Sequence, residues 1–131
     1  MLSLLLAVLS STTVYQAPPS SFVPIVQEVE TIDTKVTHLS KDYRVSEDLV
    51  RAIITCESQN DPLAVNLNKN GTRDYGPMQI NEVHKSEMER QGLDIKNPDH
   101  TLQFGVKLLA TDGTVPWKSS KPCWQKILKS V

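Results

Sequence analysis

Between Ser46 and Ser58 the apolar side chains Leu49, Ile53 and Cys56 recur at three- and four-residue steps, with Val50 and Ile54 beside them. That spacing predicts an amphipathic helix with one wide buried face. Ser46 suits its N-cap, Glu47 and Asp48 suit its first turn, and Tyr43 and Val45 cover its start. Asn60, Asp61 and Pro62 then end it. Beyond this point the period changes. Ala64–Asn68 reads as a short strand, Lys69-Asn70-Gly71 carries an Asn-Gly turn signal, and Thr72–Tyr75 returns as a second strand. Gly76-Pro77 breaks the hairpin. Asn81 caps a further helix that runs to Gln91 and stops at Gly92. Asn97 caps another, with Pro98 at its first position and Leu102, Val106 and Leu109 on its buried face. Gly105 on that helix permits a close contact, and Gly113 ends it. The tail is irregular from Val115 and then forms a short helix around Cys123-Trp124. The expected class is α+β, mainly α, with one small β-hairpin.

The first seventeen residues contain no charged side chain, and Leu2–Leu9 form an apolar run broken only by Ser3. Such a run is too short to span a bilayer as a regular helix but suits the core of a signal peptide, with Ala17 a small residue at a cleavage site. No Lys or Arg precedes it, so a short uncleaved anchor or a buried core segment are the alternatives. Pro18–Ser21 reads as a linker. From Pro24 onward, Ile25, Val29, Ile32, Val36 and Leu39 alternate four- and three-residue steps. They predict an amphipathic helix that packs on the domain or on an envelope, secretion or phage-assembly partner, or else a half-ordered spacer. The chain thus divides into a leader or anchor over 1–17, a linker and helix over 18–42, and a catalytic domain over 43–131. The expected place is outside the cytoplasm, in the cell envelope or beyond it.

Composition narrows the picture. With 131 residues the chain can bury one modest core. A net charge of −1 leaves no basic footprint, so nucleic acid is not an expected partner. Aromatics at 5% leave few platforms on which a sugar ring could stack. His38, His84 and His100 show no ligand spacing with Cys56 or Cys123, so neither a metal nor another cofactor is expected. An even pair of cysteines in an exported chain favours a Cys56–Cys123 disulfide over two buried thiols. It would close a loop of about seventy residues and stabilise the fold by roughly 4 kcal/mol through loop-closure entropy.

The candidate chemistry sits at the end of the first predicted helix. Glu57 lies four residues after Ile53 and three after Ile54, so it continues the apolar face instead of pointing to water. Low dielectric and the negative end of the helix dipole both oppose ionisation there, which suits a general acid. The bland alternative is a helix-end Glu that snorkels into solvent. A hairpin folded back after Glu57 would wall a groove and bring Asp74 to face it, and paired carboxylates are the usual equipment for cutting a glycosidic bond. Asn66 and Asn68, two amides on one strand, suit hydrogen bonds to hydroxyl and N-acetyl groups.

Glu57-Ser58, Ala64, Asn66, Asn68, Gly71, Asp74-Tyr75-Gly76, Met78-Gln79-Ile80-Asn81 and His84 together resemble the core signature of the SLT-type lytic transglycosylases, most closely the small branch that accompanies secretion and pilus systems. The run is also similar to animal C-type lysozymes, with Asp74 seventeen residues after Glu57. The resemblance implies a lysozyme-like helical domain in which a small hairpin flanks the active-site groove. It implies Glu57 as acid and base, and Ser58, Asn66, Asn68, Tyr75, Met78, Gln79 and Asn81 along a peptidoglycan-binding groove. It covers residues 45–81 closely, thins out toward residue 113 and does not reach residues 1–42. The family pattern ends in an Ala-Tyr-Asn segment whose Tyr lies near the catalytic Glu, and that segment is missing here. Either Trp117 or Tyr75 replaces it, or the sugar is held differently; both Trp117 and Trp124 could equally be buried residues that pin the tail. Three functions follow. One is a monomeric lytic transglycosylase and the second a muramidase using Glu57 and Asp74. The third is a glycan-binding or assembly module, which has no need of a buried acid.

Overall fold

The computed structural model describes residues 11–17 and 29–131. The apolar run Leu2–Leu9, the Pro18–Ser21 linker and residues 24–28 lie outside them.

Helix α2 (Glu47–Ser58) is the axis of the fold. The Ser46 hydroxyl accepts from the backbone N–H of Leu49 and caps it, as its sequence predicts. Val50, Ala52 and Ile53 are wholly buried, so this face is enclosed by the rest of the chain. The helix stops where Gln59 takes a left-handed conformation (φ 54°) and returns its N–H to the Thr55 carbonyl.

Helix α1 (Ile32–Tyr43) packs against α2 and buries Val36 in the common core. The spacing predicts this helix from Pro24 to Leu39, whereas the structure begins it at Ile32 and carries it to Tyr43. The Thr31 hydroxyl caps the N-terminus, a local hydrogen-bonding signal that apolar spacing alone does not contain. At the surface Arg51 joins α2 to α1 by donating to Asp33 Oδ1 (2.6 Å), and within α2 it donates to Glu47 Oε1 (2.8 Å from Nη2).

The hairpin forms as β1 (Val65–Leu67) and β2 (Arg73–Tyr75), antiparallel, with Asn66 opposite Asp74. A third short strand, β3 (Ile80–Asn81), pairs with the other edge of β2, so the sheet order is β1-β2-β3. The helix expected from Asn81 to Gln91 is realised as a 3-10 turn, Glu82–His84, followed by α3 (Lys85–Arg90). Helix α4 (Pro98–Asp112) begins under an Asn97 cap, with Pro98 at its start, and ends at Gly113. It packs on α1 and also seats the hairpin base. A Cβ on Gly76 (φ 78°) would fall 2.0 Å from Thr101 Oγ1, and one on Gly105 would fall 3.1 Å from Met78 Cβ. The first contact needs glycine, and at the second Met78 would have to shift to admit a side chain.

The tail is more regular than its sequence suggests. A 3-10 segment, Val115–Ser120, leads into α5 (Lys121–Leu128), which lies along α2. Cys56 and Cys123 are joined by a disulfide, as expected. Trp117 and Trp124 are 3% and 5% exposed, so both belong to the core. Together these elements make a mainly α, α+β fold of lysozyme-like form.

Candidate active site

Glu57 is the penultimate residue of α2 and is half-buried. Burial pushes its carboxyl pKa up, because low dielectric disfavours the charged form. The Ser120 hydroxyl donates to Oε1 at 2.5 Å and opposes that shift, while the negative charge of Asp74 adds to it. The Asp74 charge therefore reaches Glu57, which holds its proton to higher pH than an exposed glutamate.

The facing wall is tied by side-chain amides. Asn81 Oδ1 accepts from the Val83 N–H and caps the 3-10 turn, which turns its amide nitrogen back toward the hairpin. That nitrogen donates to Asp74 Oδ1 at 2.6 Å and to Thr72 Oγ1 at 3.0 Å. Gln79 sits in a left-handed conformation (φ 55°) and folds its side chain onto the hairpin base. Its Nε2 donates to the carbonyls of Gly76 (2.8 Å) and Ala64 (3.2 Å), and its Oε1 accepts from Asn66 Nδ2 (2.7 Å). Asn68 Nδ2 donates to Thr72 Oγ1 at 3.2 Å. These bonds tie the strands and the turn to one another even though β1 itself is exposed.

The residues expected in the groove fall into two groups. Asn66, Asn68, Asp74, Tyr75, Gln79 and Asn81 lie together on the three-stranded sheet and its turn, exposed or half-buried. Ser58, Met78 and Trp117 are packed inside. The Ser58 hydroxyl donates back to the Ile54 carbonyl at 3.0 Å, and Met78 is wholly buried against Gly105. Trp117 Nε1 donates to the Met78 carbonyl at 2.8 Å, so its indole is spent on the core and offers no stacking face to a sugar. His84 tilts against Phe104, with ring centroids 5.4 Å apart. Among the described residues no cluster of His, Cys, Asp or Glu could hold a metal ion.

The residue that sequence reasoning misses is Ser120. It stands 63 positions from Glu57 and carries no motif, and it reaches the acid only because α5 packs on α2. On the tail it is Ser120 that bonds Glu57, while Trp117 bonds the Met78 carbonyl.

Comparison with known proteins places residues 36–114, which include both carboxylates, in the family described as the transglycosylase SLT domain. The chain is 37% identical over 71 residues to Protein IpgF of Shigella sonnei, an alignment covering 51% of this chain and 47% of that one. It is 28% identical over 74 residues to Invasion protein IagB of Salmonella typhimurium strain SL1344, covering 53% and 46% respectively. The chain thus spans about half the length of the curated relatives it matches.

Proposed function

The chain belongs to the transglycosylase SLT domain family, and from that premise we propose that it is a peptidoglycan lytic transglycosylase with Glu57 as its general acid and base. The observation that carries this reading is the half-buried carboxyl of Glu57, whose pKa burial pushes up, with the Ser120 hydroxyl bonded to it and the Asp74 charge acting on it. Glu57 gives its proton to the oxygen of the β-1,4 bond between MurNAc and GlcNAc. The bond's electron pair leaves with that oxygen, and positive charge develops at the MurNAc C1. The carboxylate so formed then takes the proton of the MurNAc 6-hydroxyl as that oxygen closes on C1. The products are a 1,6-anhydro-MurNAc end and a free GlcNAc hydroxyl, with no water consumed.

A muramidase is the second reading, favoured by the charge of Asp74 acting on Glu57 and by the Asn81 amide that fixes Asp74. There Asp74 serves as nucleophile or stabilises the cation, and water completes the cleavage. Mass spectrometry of the muropeptides separates the two: anhydro ends are expected, and reducing ends alone would select the hydrolase.

We also place the chain outside the cytoplasm. The observation behind this is the disulfide that joins the tail to α2, which suits an oxidising compartment. The expected working form is a monomer acting on glycan strands, with the exposed side of α1 the surface for any envelope partner.

A further inference from the structure

We infer that Ser120 is a positioning residue for Glu57, a hydroxyl on the tail that donates to one carboxyl oxygen in both protonation states and so leaves the other to carry the proton. The inference rests on the assignment of Glu57 as acid and base. Ser120 Oγ lies within hydrogen-bonding reach of two acceptors, Glu57 Oε1 at 2.5 Å and the Trp117 carbonyl at 3.2 Å, but a hydroxyl has one proton to give. With Glu57 charged, the Ser120 O–H donates to Oε1. With Glu57 protonated on Oε2, the oxygen that hands the proton to the substrate, Oε1 is the carbonyl oxygen of the carboxyl and accepts the same O–H. Either way Oε1 keeps its donor, and the proton is exchanged with the substrate through Oε2.

The second acceptor is itself anchored. Trp117 is buried, its Nε1 donates to the Met78 carbonyl, and its own carbonyl also accepts from Trp124 Nε1 at 3.1 Å. The disulfide joins Cys56, the neighbour of Glu57, to Cys123, three residues beyond Ser120. Covalent and hydrogen-bonded links therefore bring the same two short segments together. As Glu57 passes its proton on, charge builds on the carboxylate, and a hydrogen bond to an ionised acceptor is roughly twice as strong as a neutral one. The contact thus strengthens as the reaction proceeds. Asp74 is the titratable group that faces Glu57 from the hairpin, while Lys118 and Lys121 on the tail are exposed to solvent.

The test is Ser120→Ala beside Ser120→Thr, each read in two ways. In NMR titration of the Glu57 side-chain carboxyl carbon, loss of the donor should move the midpoint upward in Ser120→Ala, and Ser120→Thr should stay near wild type. On peptidoglycan, kcat of Ser120→Ala should fall by about tenfold or more with KM little changed, as expected for a lost hydrogen bond to a charged group. The alkaline limb of its pH profile should move up. An unmoved Glu57 titration in a folded Ser120→Ala overturns the inference. A wild-type protein that cuts no glycan would instead overturn the enzymatic reading, while the titration would still decide the role of Ser120.

Discussion

The two carboxylates of the groove are held by opposite means. Glu57 stands at the end of a helix whose buried face is apolar, roofed by a tail that a disulfide pins in place. Asp74 stands on a short, largely exposed hairpin and is met by the amide of Asn81. On the helical side, burial sets the chemistry, because it makes a proton hard to lose. On the hairpin side, hydrogen bonds set position, because three-residue strands have too little buried surface to hold a side chain still. On the proposed function an acid must be kept neutral and a substrate kept aligned, and the two regions suit one need each.

The sharpest way to break this contrast is Glu57→Gln. The amide keeps the shape and can still accept from Ser120, but it has no proton to give, so glycan cleavage should fall by about 10²–10⁴ with the melting temperature preserved. Turnover of peptidoglycan near the wild-type rate would remove Glu57 from the role of acid.

Opening the tail should be next in size. Replacing Cys56 and Cys123 by Ser releases a loop closed across 67 positions and should lower stability by roughly 4 kcal/mol. Thermal melting should fall by roughly ten degrees or more. An unchanged melting temperature would mean that the bridge contributes nothing to the closed form.

Asp74→Asn tests the other wall. If the substrate supplies its own nucleophile, activity should drop by about tenfold, through weaker positioning. The anhydro product should persist. A loss as complete as that of Glu57→Gln, from a parent that leaves only reducing ends, would make Asp74 a participant in the chemistry.

The smallest effect is a stability difference that depends on pH. The folded-state pKa of Glu57 is raised, so the native state binds more protons than the unfolded chain between the two pKa values, and stability falls as pH rises through that window. Glu57→Gln lacks this penalty. Its melting temperature should equal or slightly exceed that of wild type at neutral pH, and the advantage should vanish below the unfolded-state pKa. An advantage that stays the same in acid would point to packing instead of ionisation.

The parts of the molecule that were legible from sequence are those whose cause is local. The period of Leu49, Val50, Ile53 and Ile54, the Ser46 cap, the Asn-Gly turn and the Asn97-Pro98 start each act within a few residues, and each appears in the structure. Glu57 was legible for the same reason, since its helical phase predicts its burial. The start of α1 was misjudged because β-branched spacing continues past the point where the Thr31 cap fixes the helix end. Met78, Ser58 and Trp117 belong to a conspicuous motif or residue type, yet α4 and the tail claim them for packing. Ser120 could not be found, because the cause of its position lies in α5 docking on α2.

The seating of the hairpin has a mechanical consequence. The strand pair is clamped at its root, where Gly76 meets Thr101, Met78 meets Gly105, and Trp117 bonds the Met78 carbonyl. Its other end, around Lys69, Asn70 and Gly71, is exposed and touches nothing that a Cβ on Gly71 would meet. A beam fixed at one end deflects least near the support and most at the tip. Asp74 lies two residues from the root, so a glycan strand drawn along the groove would bend the rim at Asn70 while the spacing between the two carboxylates held.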